Sequence, residues 1–154
     1  MGILIYTDGG CSGNPGPGAW AYVILEDKSA KIITEKWGSQ MNTTNNRMEL
    51  SAVIAALEAL AGLDEGHGNV TVYTDSQYVQ KGIQTWIHAW KRNGWKTSDK
   101  KPVKNIDLWQ KLDDVSSAFL LTWKWVKGHA GNEFNERCDR MTQEAIASLT
   151  GGLF

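Results

Sequence analysis

Cysteine is nearly absent. Cys11 and Cys138 are the whole complement in 154 residues, and their separation fits neither a zinc motif nor a small disulfide framework. Long hydrophobic runs are missing as well: no stretch of about 18 apolar residues exists, and no secretory apolar segment precedes the first strand-like stretch. Repeats, low-complexity tracts and interdomain linkers are also lacking. A disulfide scaffold and a helical membrane protein are thereby excluded. The expectation is one reduced, soluble, cytoplasmic domain over residues 1–154, with a core at about 2–149 and a tail from Thr150 that frays. Net charge is almost missing too, at -1, but it is unevenly spread. Lys81, Lys91, Arg92, Lys96, Lys100, Lys101 and Lys104 face a single acid, Asp99, within residues 81–104. A basic arm therefore sits on an acidic body and suits a polyanion.

What is present is a change of period. Residues 2–8 are β-prone, residues 9–18 are dense in glycine and proline and read as a tight loop, and residues 19–25 and 30–38 complete an antiparallel meander. Residues 46–61 are apolar nearly all round and predict a long buried helix. A β-branched run, residues 70–74, suits a parallel central strand. Helices follow at about 76–84, 86–92 and 106–115, then a strand at 119–126, a flexible loop at 128–131 and a last helix at 133–149. The order β-β-β-α-β-α-α-α-β-α implies an α/β fold with a five-stranded mixed sheet flanked by helices.

Four carboxylates stand at expected strand ends or helix starts: Asp8, Glu49, Asp75 and Asp139. Gathered at one point they would repel, so such a group calls for cations and makes an oxygen-ligand site for Mg2+ or Mn2+. Each also has an ordinary reading. Asp8 before a glycine pair starts a turn, and Asp75 in Thr-Asp-Ser caps a helix. Glu49, three residues after Asn46, completes a capping box, and Asp139 is a solvated helix acid.

In combination the motifs are specific. Thr7-Asp8-Gly9, Gly13-Asn14-Pro15-Gly16-Pro17-Gly18, Thr44-Asn45-Asn46-Arg47-Met48-Glu49-Leu50 and Thr74-Asp75-Ser76-Gln77-Tyr78-Val79 are followed by Trp86-Ile87-His88, Gly94-Trp95-Lys96-Thr97, Trp125-Val126-Lys127-Gly128-His129-Ala130-Gly131 and Asn135-Glu136-Arg137-Cys138-Asp139. In that order and spacing, over about residues 3–147, the chain resembles type 1 ribonuclease H of the bacterial kind. The resemblance implies the ribonuclease H-like fold and an endoribonuclease that cuts the RNA strand of an RNA–DNA hybrid; nothing in the sequence demands a dimer, so a monomer is expected. It carries the metal-ligand role onto Asp8, Glu49, Asp75 and Asp139; two ions in the site with substrate would suit in-line displacement, and Asp8, expected nearest the centre of the sheet, is the residue expected to bridge them. His129 takes a proton-handling or product-release role. Two departures stand out: Asn132-Glu133-Phe134 replaces a frequent proline-containing stretch, and Asn93 stands where some relatives carry a basic residue.

Matching positions for the RNA sugar are Asn14, Asn45, Glu49 and Gln77, with backbone groups near Cys11. Amides suit a 2′-hydroxyl because they both donate and accept. Thr44 and Asn105 match positions that hold a DNA phosphate. Trp86, Trp90 and Trp95, interleaved with Lys91, Arg92 and Lys96, have the composition of a nucleic-acid groove, although the same tryptophans can pack the arm onto the body. The rival readings are another two-metal nuclease or integrase on the same sheet, and a binding-only module, which could dispense with the acids.

Overall fold

A computed structural model describes residues 2–63, 68–126 and 132–151. Its strands are β1 (Ile3–Cys11), β2 (Gly16–Glu26), β3 (Ile32–Thr43), β4 (Val70–Thr74) and β5 (Leu121–Trp125). They form one sheet in the order β3-β2-β1-β4-β5. β1 pairs antiparallel with β2 and parallel with β4, so the strand bearing Asp8 lies at the centre. The helices are α1 (Asn45–Ala61), α2 (Gln77–Lys81), α3 (Ile87–Arg92), α4 (Ile106–Ser116) and α5 (Glu133–Leu149). Among the described residues no helix is long and apolar enough to cross a membrane.

Alternation along β1 divides the core between the two faces of the sheet. Ile3 and Ile5 join Leu50, Val53 and Leu57 of α1 and the wholly buried Trp109 of α4. Tyr6 turns the other way, toward Val23, Leu25 and Cys138 of α5. It stacks on Tyr73, its partner in the β1–β4 register, with ring centroids 4.5 Å apart. Burial pushes the Cys138 thiol far up, so at neutral pH it is a protonated apolar filler. Arg137 ties α5 to the edge strand, donating to both carboxylate oxygens of Glu35 at 2.8 and 2.7 Å.

Several boundaries differ from expectation. The expected loop at 9–18 is mostly strand: Gly9, Gly10 and Cys11 pair with Trp20, Ala19 and Gly18, leaving only a tight reversal around Gly13, whose φ is +76°. Asp8 therefore lies inside β1 rather than at its end. β3 runs to Thr43 instead of stopping near residue 38, because its polar second half pairs with β2 on one side and is the sheet's edge on the other. The helices expected at 76–84 and 86–92 are joined by a π-helical segment, Gly82–Trp86. There Gly82 lies against Trp109, where a Cβ would meet the indole ring. β5 is shorter than the expected 119–126.

Candidate active site

Two glycines explain how α1 reaches the sheet. A Cβ on Gly9 would lie 2.4 Å from the backbone of Met48 and Glu49, so only a bare backbone admits the first turn of α1 at this point. Gly10 faces the opposite side, where a Cβ would make ordinary contact with Thr142 of α5 at 3.4 Å. The close approach brings Glu49 beside Asp8. Neither competing capping role is used. Thr44 caps α1 by accepting from the N–H of Arg47 at 3.3 Å, and Ser76 caps α2 by accepting from Val79 at 3.1 Å. Glu49 and Asp75 are thereby released from helix termini.

Asp8, Glu49 and Asp75 each offer an oxygen within 4.8 Å of the others, the one such group of possible metal-holding side chains among the described residues. Asp8 is 4% exposed and Glu49 6%. Burial first, then the charges of Asp75 and Asp8, raise the Glu49 carboxyl well above the ordinary range; the N–H of Gly9 offsets this only in part. Its Oε1 is buried without a hydrogen-bond partner. An acid-only cluster with a buried, unpartnered oxygen fits a hard divalent cation. Asp139, expected as a fourth member, lines the same cleft of about 460 Å³ but is not in the tight group. It enters from α5, on the other side of the cleft from α1. His129 lies outside the described residues.

Of the expected sugar contacts, Cys11, Asn45 and Gln77 line this cleft. Asn14 lies at its margin, its Oδ1 accepting from the N–H of Asn45 at 3.1 Å. The Cys11 thiol donates toward the carbonyls of Gly16 and Thr43, both at 3.3 Å. Asn105 is reached through Tyr78, another cleft residue. The Tyr78 hydroxyl accepts from Asn105 Nδ2 at 3.1 Å and from Trp109 Nε1 at 3.0 Å. Asn105 Oδ1 in turn accepts from Arg47 at 3.2 Å, and Arg47 forks onto Asp107 at 3.0 and 2.7 Å. Asn105 has φ 60° and forgoes a side-chain cap on its own helix, so its amide is oriented by Tyr78 and Arg47.

The arm is built on a cluster of tilted and edge-on aromatic rings. Trp86 meets Tyr78 at 5.7 Å and Trp90 at 6.0 Å, and Trp90 also touches Trp95 and Trp109. Arg92 and Lys96 are exposed, while Lys91 pairs with Asp113 at 3.2 Å. Sequence reasoning missed Asn46, Tyr78 and Gln143 as cleft residues. Gln143 could have been found, since it lies one helical turn past Asp139. Tyr78 gave no such sign, because its partners lie 27 and 31 residues away.

Comparison with known proteins agrees with this geometry. The RNase H family model matches residues 1–147. A curated ribonuclease H from Treponema denticola is 54% identical over 159 aligned positions, covering 97% of this chain and 99% of the relative. One from Jannaschia sp. is 50% identical over 152 positions, covering 97% and 94%. Among solved structures, LC9-RNase H1, described as a type 1 RNase H with the type 2 active-site motif, superposes with a TM-score of 0.84 at 31% identity over 96% of this chain and 72% of that one. LC11-RNase H1, solved in complex with an RNA/DNA hybrid, superposes with a TM-score of 0.74 at 28% identity, covering 96% and 99%.

Proposed function

The chain belongs to the RNase H family, in its bacterial type 1 branch, and from that membership we propose that it hydrolyses the RNA strand of RNA–DNA hybrids with divalent ions held by Asp8, Glu49, Asp75 and Asp139. The observation that carries the reading is the close group of three carboxylates, two buried and Asp75 half-buried, lining an open cleft. Bound there, a pair of Mg2+ ions, or Mn2+ in their place, supplies the Lewis-acid chemistry of in-line phosphodiester hydrolysis, leaving a 5′-phosphate and a 3′-hydroxyl.

The side chains divide the remaining work. Asp8, on the central strand beside Glu49 and Asp75, would be the carboxylate shared by a pair of cations bound there. Glu49, whose carboxyl pKa is raised by burial first and then by the charges of Asp75 and Asp8, would be favoured in its ionised form by positive charge held beside it. Asn14, Asn45 and Gln77 address the RNA sugar, and Thr44 with Asn105 takes a phosphate of the DNA strand. His129 handles a proton or assists product release. The Asn105 amide, already oriented by Tyr78 and Arg47, supports its assignment, because a side chain ordered in advance costs less to fix on binding. No obligatory protein partner enters this scheme, and the protein acts as a monomer.

The test is cleavage of labelled RNA–DNA, RNA–RNA and DNA–DNA duplexes with and without Mg2+. Metal-dependent cutting confined to the hybrid is expected, with end-group analysis giving the stated termini. Equal cutting of all three duplexes would favour a different two-metal nuclease, and hybrid binding without cutting would favour a binding module.

The arm gives a separate prediction. Triple substitution of Lys91, Arg92 and Lys96 by glutamine should weaken hybrid binding and reduce the slope of log affinity against log salt by about one unit for each lost phosphate contact. Lys91 should contribute least of the three, because Asp113 already pairs with it. An unchanged slope would remove the arm from the binding surface.

A further inference from the structure

Among the described residues Trp125 is one of the few large apolar side chains left open to solvent, at 40% exposure, and the function proposed above assigns it no task. The parallel β4–β5 ladder ends with Thr74 opposite Trp125. The N–H of Val126 still reaches the carbonyl of Thr74, at 2.8 Å. Asp75 lies one residue further on, and the donor to its carbonyl is a side chain, the indole Nε1–H of Trp125 at 3.2 Å. The ladder is thus extended by one bond that comes from a ring rather than from backbone. Indole is donor-only, and its nitrogen is carried on a rigid bicycle, so the bond has one polarity and a fixed reach. On the other side of Asp75, the N–H of Ser76 donates to Thr74 Oγ1 at 3.0 Å. The backbone around this carboxylate is held before, at and after the residue.

We propose that Trp125 is a positioning residue for Asp75: its indole N–H fixes the Asp75–Ser76 peptide and so sets the direction in which the carboxylate enters the cleft toward Asp8 and Glu49. A purely packing tryptophan would bury its ring, whereas this one leaves much of it in water while committing its one polar atom to the residue that bears the carboxylate. The inference rests on the reading of Asp75 as a cation-holding group. A carboxylate that must share a cation with two others tolerates little rotation of its own backbone, and partners that orient ligand residues from behind commonly change metal affinity by about 10–100-fold.

Trp125→Phe keeps the ring and deletes the donor. Calorimetric titration of the full chain with Mn2+, without nucleic acid, should show affinity about tenfold lower than in the unsubstituted protein. The Mg2+ concentration for half-maximal cleavage should rise by a similar factor, while KM for hybrid at saturating metal stays unchanged. Unaltered Mn2+ affinity would overturn the proposal, as would a loss that merely tracks a fall in melting temperature. If Trp125→Phe fails to fold, hydrogen exchange at Nε1 of Trp125 in the unsubstituted protein decides. Slowing of that exchange by Mg2+ is expected, because linkage makes cation and hydrogen bond stabilise each other; an exchange rate indifferent to Mg2+ would overturn it. Full activity in Asp75→Asn would instead sink the metal assignment itself. An inactive Asp75→Asn beside a Trp125→Phe with normal metal affinity removes only the role of Trp125.

Discussion

Asp8→Asn should lower hybrid cleavage by about 10³-fold or more while raising the melting temperature of the metal-free protein. Both effects have one cause. Asp8 is 4% exposed on the central strand, with oxygens of Glu49 and Asp75 within 4.8 Å. At that spacing two ionised carboxylates repel by roughly 3 kcal/mol at an effective dielectric constant near 20. The substitution keeps the shape and removes a charge. It takes away one of the three clustered carboxylates, and with it one source of repulsion. A gain of on the order of 1–2 kcal/mol corresponds to several degrees for a chain of this size.

The dependence on pH follows from Glu49. Its folded-state value is raised, so the folded protein holds that proton more tightly than the unfolded chain does. The stabilisation is fully present below the unfolded value and is lost as pH rises through the folded one. The metal-free protein should therefore lose stability from about pH 4.5 upward. Asp8→Asn lessens the Coulombic contribution to that shift and should narrow the interval of loss. Saturating Mg2+ should shrink or reverse the advantage of the variant, because binding favours the folded protein that holds the cation better. Unchanged cleavage in Asp8→Asn, or a melting temperature in EDTA below that of the parent, would contradict the account. Such a result would mean that these acids neither gather a cation nor strain the fold.

Legibility in the sequence follows the range of the forces involved. The expected strand at 70–74 and helix at 133–149 coincide with β4 and α5, because a β-branched run and a long helical period are local signals. The mixed sheet and the flanking helices follow from the alternation of those signals along the chain. The glycine-rich stretch misled for a physical reason. Glycine marks both a turn and a place where another backbone must come close, and at Gly9 the second meaning applies. The polar half of β3 was unreadable because an edge strand need not show alternating burial. In the site, the cleft positions of Asp8, Glu49, Asp75 and Asp139 were legible from motifs. The tighter spacing of the first three depends on how closely α1 approaches β1, which no local pattern encodes. The same holds for the chain from Trp109 through Tyr78 and Asn105 to Arg47, whose members meet only after folding.

Gly9→Ala should abolish most activity without touching any carboxylate. The added methyl carbon would lie 2.4 Å from Glu49 N and Met48 C, and 2.7 Å from Met48 O. These are backbone atoms of a helix, so no rotamer change relieves the clash; α1 must withdraw from β1 or the strand must bow. The conformation at Gly9 is ordinary strand, paired with Trp20, so the cost is steric rather than torsional. Overpacking of this kind typically costs about 1–3 kcal/mol, and a misplacement of about 1 Å at a reacting centre can cost about 100-fold in rate. Glu49 moves with α1, and the hydrogen bond it receives from the Gly9 N–H should lengthen. The expected result is a clear fall in melting temperature together with at least about a 100-fold loss of hybrid cleavage. Gly10→Ala is the matching control for stability, since its methyl would make only ordinary contacts, with Thr142 Cγ2 at 3.4 Å, Ile146 Cδ1 at 3.7 Å and Gln143 Nε2 at 4.0 Å, and should leave the melting temperature nearly unchanged. Full activity in Gly9→Ala would show that Glu49 does not depend on this close approach, and that α1 is free to reach the site by another path.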